Sequence, residues 1–190
     1  MRPLVYHEPW AGIAFFATFA VWAIGELVLQ VRTSTDESDR SRIWMIAGSV
    51  AGLVVAFAAA GADPHLPGPG WLPVAVGLAL MVAGMALRAW SVRTLGRFFT
   101  VTVDVTDDQR VVDSGPYALL RHPSYTGMLI VYLGIGAALD SWITLIATPV
   151  PLLLAILERI GHEERMLHQG LGPAYAAYAR RTKRLVPLLW

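Results

Sequence analysis

Five long apolar segments constrain the fold of this chain more than any other feature. They cover residues 10–31, 43–61, 71–87, 124–139 and 142–157. A helix needs roughly 20 mostly apolar residues to cross the ~30 Å hydrocarbon core of a bilayer. Charged residues make up only 15% of the chain, against about 25% in soluble domains. The sequence therefore predicts an all-α integral membrane protein with about five transmembrane helices.

The last two apolar segments are predicted to form a tight helical hairpin, because only Asp140 and Ser141 separate them. Pro149 and Pro151 lie within the second arm of this hairpin. Each proline removes a backbone hydrogen-bond donor, so we expect this helix to be bent or shortened near them.

The distribution of positive charge predicts the orientation of the chain. Every Lys and Arg residue except Arg2 lies in the first connection, the third connection or the C-terminal tail. Short cytoplasmic loops carry an excess of Lys and Arg. We therefore expect the N-terminus to lie outside a cell membrane, and the C-terminus with most of the polar residues to lie in the cytoplasm.

Composition excludes several classes of function. The formal net charge of +1 offers no basic face for a nucleic acid partner. The chain contains no cysteine, which excludes disulfides, thiol nucleophiles and thiolate-bound metals. We predict no metal site.

The segment 113–125 carries the most informative motif. The Ser-Gly-Pro sequence at residues 114–116 predicts a turn followed by the start of a helix. Tyr117 and Arg121 are then expected on one face of a short helix, because they are four residues apart. Pro123 ends that helix and can open the fourth span.

The start of the fourth span is predicted to bind an anion. The first turn of a helix has unpaired N–H groups and the positive end of the helix dipole, which favour a carboxylate or a phosphate. His122, Ser124 and Tyr125 add an imidazole, a hydroxyl and a phenol. The alternative is that Arg121 and His122 only flank the membrane, with Tyr125 in the interfacial aromatic belt. The clustering of a turn, a proline and polar side chains favours a binding site.

A second group of charged residues follows the fifth span. Arg159 and Glu163 are one helical turn apart and lie within two turns of the membrane boundary, so we expect them to be buried against the fourth span. Arg165 and His168 are expected on a solvent-exposed face. The helix should break at the Gly-Pro sequence of residues 172–173 and restart there.

Three motifs together resemble the isoprenylcysteine carboxyl methyltransferase family. They read Gly-Pro-Tyr-x-x-x-Arg-His-Pro-x-Tyr-x-Gly over residues 115–127, Glu-Glu-x-x-Leu over residues 163–167, and Gly-x-x-Tyr-x-x-Tyr over residues 172–178. The resemblance extends to the membrane phospholipid methyltransferases and covers about residues 95–187.

The resemblance implies a single methyltransferase domain over residues 1–190. Residues 1–92 would form three generic spans. Residues 93–190 would form a cofactor-binding segment, the helical hairpin and a C-terminal tail that completes the cofactor pocket.

The resemblance also implies S-adenosylmethionine as the methyl donor. The residues that would contact the donor are Gln109, Val111, Val112, Tyr117, His122, Pro123, Ser124, Tyr125 and Glu163. Arg159 would be the catalytic residue that faces the substrate, with Arg121 and Arg181 as further candidates for substrate binding.

The methyl acceptor stays open, although a lipid or amphiphile entering from the bilayer fits a site at this depth. A carboxylate acceptor is ionised at neutral pH and needs no base, and Arg159 could hold it bidentately. An amine acceptor would need proton removal, for which Glu164 and His162 are the nearby candidates.

Two other interpretations compete with methyl transfer. A membrane reductase of related architecture would bind NADPH, and a non-catalytic scaffold would bind a partner through its charged tail. Glu26 is an ionisable residue in the first apolar segment and a functional candidate for that reason. We expect it to reach toward the cytoplasmic surface, where it can pair with an arginine.

Overall fold

The fold is entirely helical over the residues that the computed structural model describes, which are 3–33, 40–62, 64–96 and 111–187. These residues form six α-helices and two short 3-10 turns, with an isolated bridge between Leu120 and Lys183 in place of any strand. The helices are α1 (Pro9–Thr33), α2 (Arg40–Ala58), α3 (Trp71–Leu95), α4 (Pro123–Ala138), α5 (Trp142–Ala147) and α6 (Pro149–Arg181). The predicted all-α fold class is confirmed.

Three segments are long and apolar enough to cross a membrane. They are Pro9–Val31, Trp71–Leu95 and Trp142–Arg181, whereas Arg42–Ala58 and Pro123–Ala138 are shorter apolar helices. The 16 residues of α4 rise about 24 Å at 1.5 Å per residue, which is less than the ~30 Å hydrocarbon core. The predicted count of five spans therefore stays a prediction.

The predicted helical hairpin is confirmed. A tight turn through Asp140, whose φ is 54°, joins α4 to α5. The Ser141 hydroxyl caps α5 by accepting from the Ile143 N–H at 3.1 Å. The second arm of the hairpin is divided at Thr148 into α5 and α6. This break lies directly before Pro149, which agrees with the predicted effect of the prolines.

The backbones of α3 and α4 approach each other closely at two pairs of glycines. A Cβ at Gly84 would lie 2.5 Å from the carbonyl oxygen of Gly127, and one at Gly134 would lie 2.6 Å from that of Gly77. Both glycines of each helix are seven residues apart, so they lie on one face. Small residues allow this close approach of helices in membranes, and here it fixes the start of α4 beside α3.

We expect Gly84→Ala to destabilise the protein, because its Cβ would meet backbone atoms that cannot rotate away. Overpacking of this kind costs roughly 1–3 kcal/mol. Gly25→Ala is the matched control on α1, where a Cβ meets no atom within 4 Å. The midpoint of thermal unfolding in detergent should fall by several degrees for Gly84→Ala only. Equal midpoints for the two variants would contradict the packing.

The C-terminal tail returns to the start of α4. Helix α6 kinks at Gly172, whose φ is 50°, and continues from Pro173, as predicted. Beyond α6, the Arg121 N–H donates to the Lys183 carbonyl at 2.7 Å, and the His122 N–H donates to the Arg184 carbonyl at 3.1 Å. The tail is therefore bonded along the residues that precede α4.

One local prediction is wrong: Tyr117 and Arg121 do not share a face of one short helix. The 3-10 turn ends at Ala118, so Arg121 lies beyond it. The Arg121 N–H bonds to the tail instead of continuing the helix. The position just before Pro123 also favours extended backbone over helix.

Candidate active site

The candidate active site lies where the start of α4, the middle of α6 and the tail meet. His122, the residue directly before Pro123, is buried between two carboxylates. Its Nδ1 lies 3.4 Å from Glu163 Oε2, and its Nε2 lies 3.4 Å from Glu164 Oε1. The Tyr125 ring stacks on the imidazole with 5.8 Å between ring centroids. Two of the sequence motifs are thus in direct contact.

Glu163 is held by a phenol and a guanidinium group. The Tyr125 hydroxyl donates to Glu163 Oε1, and Arg159 Nε donates to the same oxygen at 2.9 Å. Arg159 Nε also lies 2.7 Å from the Tyr125 hydroxyl oxygen. The predicted pairing of Arg159 with Glu163 is confirmed, and Arg159 is 3% exposed. These contacts fix both side chains against α4.

Glu164 forms a second set of ion pairs that the sequence did not reveal. It accepts from Arg121 Nε at 2.9 Å and from Arg184 Nη2 at 2.7 Å. Arg121 Nη1 also donates to the carbonyl oxygens of Ala179 and Thr182, at 2.6 and 2.7 Å. The sequence offered one signal, the doubled glutamate. Adjacent helical positions point about 100° apart, so the two carboxylates share His122 but pair with different arginines.

His122 binds a proton more readily than an ordinary histidine. Burial disfavours the charged imidazolium, but hydrogen bonds and charge interactions with Glu163 and Glu164 outweigh it and raise the pKa of His122 above its usual value. The folded protein therefore favours a protonated His122 that bridges both carboxylates.

This raised pKa predicts a pH-dependent stability. The contribution of protonated His122 is complete below its ordinary pKa of about 6.5 and is lost as the pH rises through the raised value. We expect wild type to unfold at a higher temperature than His122→Gln near pH 6, with the difference shrinking toward about pH 9. If the difference in unfolding temperature between the two proteins were the same at every pH in this range, a protonated His122 between the two carboxylates would be contradicted.

Ser124 and Glu26 are joined through an arginine of α3. Arg88 Nη1 donates to Ser124 Oγ at 2.7 Å, and Arg88 Nε lies 2.5 Å from Glu26 Oε1. The expectation that Glu26 pairs with an arginine is confirmed. The position of Ser124 in the first turn of α4 also agrees with the predicted helix start at Pro123.

The predicted anion site at the start of α4 is less open than expected. Pro123 has no N–H, and the N–H groups of Tyr125 and Thr126 both donate to the His122 carbonyl oxygen, at 3.1 and 3.2 Å. The helix thus uses two of the donors that were expected to face a ligand.

The structure treats the remaining candidate residues differently. Tyr117 is buried, which raises the pKa of its phenol, and its carbonyl oxygen accepts from the Tyr178 hydroxyl at 2.8 Å. Val111 and Val112 are half-buried, while Gln109 lies outside the described residues. Arg181 has a 60% exposed side chain and pairs with Asp113. The structure therefore does not bring Arg181 to Glu163.

An open groove of about 540 Å³ borders the cluster on the Glu164 side. It is lined by Gly161, Glu164, Arg165, His168, Gln169 and Arg184. Arg165 and His168 are exposed, as expected. The groove does not include His122, Tyr125 or Glu163, so the predicted donor pocket around Glu163 stays a prediction.

Known proteins are similar to the part of this chain that contains the candidate active site. A sequence profile described as the isoprenylcysteine carboxyl methyltransferase (ICMT) family matches residues 76–169. Over this half of its length, the chain is similar to this family. The match contains the start of α4 and both glutamates of the cluster, and the ICMT resemblance noted from the motifs is thereby confirmed.

Two relatives and one solved structure show how far the similarity extends. "Protein-S-isoprenylcysteine O-methyltransferase B" of Arabidopsis thaliana is 36% identical over 115 residues, which cover 60% of this chain and 58% of the relative. "Cobalt-zinc-cadmium resistance protein CzcN" of Cupriavidus metallidurans is 34% identical over 100 residues, which cover 52% and 46%. This chain thus spans about half to three fifths of these relatives.

The solved structure of the eukaryotic intramembrane Ras methyltransferase ICMT matches with a TM-score of 0.62 at 24% identity. The match covers 98% of this chain and 70% of the other. It shows that this chain has the ICMT membrane fold. These matches do not support the reductase or the amine methyltransferase considered from the sequence.

Proposed function

We propose that the protein transfers a methyl group from S-adenosylmethionine to the carboxylate of a lipophilic substrate, such as an isoprenylated cysteine. One observation carries this proposal: His122 and Tyr125, at the start of α4, meet Arg159 and Glu163 of α6 in direct contact. His122 and Tyr125 belong to the first of the three sequence motifs and Glu163 to the second, with Arg159 one helical turn before it. Their convergence supports one site built from both.

The chemistry of Glu163 fits the methyl donor. S-adenosylmethionine carries a sulfonium, an ammonium, ribose hydroxyls and a carboxylate. Glu163 already accepts hydrogen bonds from a hydroxyl and a guanidinium group, and a carboxylate accepts equally well from ammonium or ribose groups. When bound, this donor supplies an electrophilic methyl group on its sulfonium. Glu163 would hold its polar part in a fixed orientation.

The other residues proposed to bind the donor surround Glu163 or precede α4. They are Gln109, Val111, Val112, Tyr117, His122, Pro123, Ser124 and Tyr125. In this proposal His122 acts as a protonated bridge that keeps Glu163 ionised and in place. The Tyr125 ring stacks on His122, and its hydroxyl holds the same carboxylate.

Arg159 is proposed to orient the carboxylate of the substrate. Its Nε–H holds Glu163 and Tyr125, and its guanidinium group keeps a positive charge that attracts a carboxylate. The planar fork suits a carboxylate. A carboxylate acceptor needs no general base at neutral pH, so positioning is the main task, which can contribute about 7–11 kcal/mol.

The depth of the site supports a lipophilic substrate. Arg88, which contacts Ser124 of α4, lies seven residues before the end of α3 at Leu95. At 1.5 Å per residue this places it about 10 Å from that end. The start of α4 is therefore recessed among the apolar helices. We propose that the substrate enters from the cytoplasmic leaflet, with the C-terminal tail on the cytoplasmic side.

Binding of the donor tests this proposal. Titration calorimetry of the detergent-solubilised protein with S-adenosylmethionine and with its demethylated product should show saturable binding. Glu163→Gln should weaken it at least about tenfold, because a charge-assisted hydrogen bond contributes about 1.5–3 kcal/mol. Glu158→Gln, an exposed glutamate on the same helix, is the control. Folded protein that binds neither compound would refute the proposal.

The acceptor is best identified with a panel. Because the relatives carry names that differ in function, the panel should extend beyond isoprenylcysteines to fatty acids and aminolipids. Methylation of the isoprenylcysteines or other lipophilic acids is expected. Methylation of the aminolipids alone would refute the carboxylate assignment.

A further inference from the structure

A buried ion pair connects α1 to α3 beside the candidate active site. Glu26 and Arg88 are joined by two contacts, Nε to Oε1 at 2.5 Å and Nη2 to Oε2 at 2.6 Å. Their side chains are 14% and 10% exposed. Each residue lies seven positions before the end of its helix, at Thr33 or Leu95. The pair therefore lies about 10 Å inside the helical ends.

The same guanidinium group reaches the start of α4. Arg88 Nη1 donates to Ser124 Oγ at 2.7 Å. Ser124 lies in the first turn of α4, between His122 and Tyr125, which contact Glu163. A single side chain of α3 thus joins α1 to the turn that carries two residues of the site.

Packing alone gives no reason for a charged pair at this position. Taking two charges out of water is costly, and apolar residues of similar size often hold helices together equally well. The hydrogen bond from Arg88 Nη2 to Glu26 Oε2 is directional, whereas an apolar contact is not. With one edge of Arg88 held by Glu26, the Nη1 atom is directed at Ser124.

We propose that Glu26 is a positioning residue of the active site. By holding Arg88 through one hydrogen bond and one ion-pair contact, it fixes Ser124, and through that turn it fixes the orientation of His122 and Tyr125. Glu26 lies outside residues 76–169, which the family profile matches. The proposal therefore gives α1 a role in the active site. The expected effect of Glu26 on kcat rests on the proposed methyl transfer.

Kinetics of Glu26→Gln provide the first test, with Glu8→Gln as the matched control near the opposite end of α1. Misplacement by about 1 Å can reduce turnover by on the order of 10²-fold. We expect a loss of this size in kcat for Glu26→Gln, partial recovery in Glu26→Asp, and wild-type kcat for Glu8→Gln. A lower melting temperature with unchanged kcat would mean that the pair only stabilises the fold, and would overturn the inference.

A second readout does not depend on activity. The imidazole signal of His122 in isotope-labelled protein can be assigned by its loss in His122→Gln. Glu26→Gln should shift this signal and Glu8→Gln should not. If Glu26→Gln does not fold, Glu26→Asp, which keeps the charge, should shift the signal by a smaller amount. An unchanged signal would overturn the inference, whereas inactive wild type with a shifted signal would refute only the proposed function.

Discussion

Replacing Arg159 by lysine is expected to reduce methyl transfer by about 10²- to 10³-fold, comparable to the loss of one preorganised electrostatic contact. Lysine keeps the positive charge but lacks the planar fork, so it cannot hold Glu163, Tyr125 and a substrate carboxylate together. Donor binding should stay within a few-fold of wild type, because Glu163 keeps its charge. Single-turnover transfer and calorimetric donor binding on the same preparations would measure both quantities.

Arg165→Lys is the control for this substitution. Arg165 lies on the same helix but is exposed, so transfer should be unchanged. If Arg159→Lys instead lost donor binding and kept transfer at saturating donor, Arg159 would belong to the donor site. That result would contradict its proposed role.

Replacing Glu164 by glutamine is expected to release the tail from the start of α4. The substitution removes the negative charge that Arg121, His122 and Arg184 share. Breaking a buried ion pair costs about 3–5 kcal/mol. Arg184 is 36% exposed, which lowers the expected cost to about 2 kcal/mol. The thermal midpoint should then fall by roughly 4–8 °C.

Amide hydrogen exchange can show which contacts are lost when Glu164→Gln lowers the stability. The amides of Arg121, His122 and Lys183 bond between the tail and the segment before α4, so they should exchange faster in Glu164→Gln. Glu158→Gln should leave them protected. Protection of these amides in both variants, with a normal melting temperature, would show that Glu164 does not fasten the tail.

The local features of this fold could be predicted because short sequence patterns determine them. Pro123 begins α4 and Gly172 interrupts α6, since proline and glycine restrict which backbone conformations are possible. Arg159 and Glu163 could be paired in advance because a helix places residues four apart on one face.

The long-range contacts could not be predicted in the same way. Glu26 and Arg88 are 62 residues apart in sequence, and no periodicity relates two separate helices. Arg121 was expected on a short helix because its spacing from Tyr117 fits one. Tertiary hydrogen bonds to Lys183 override that spacing. The role of Glu164 depends on the same return of the tail.

The measurement that tests the central claim most directly follows a labelled methyl group. Purified protein in lipid vesicles would be incubated with methyl-labelled S-adenosylmethionine and an isoprenylcysteine, alongside Glu163→Gln and Glu158→Gln. Label in the lipid fraction that mild base releases as methanol identifies a methyl ester. We predict this product for wild type and Glu158→Gln, and its loss in Glu163→Gln. Base-stable label, or equal labelling by all three proteins, would contradict a carboxyl methyltransferase site at Glu163.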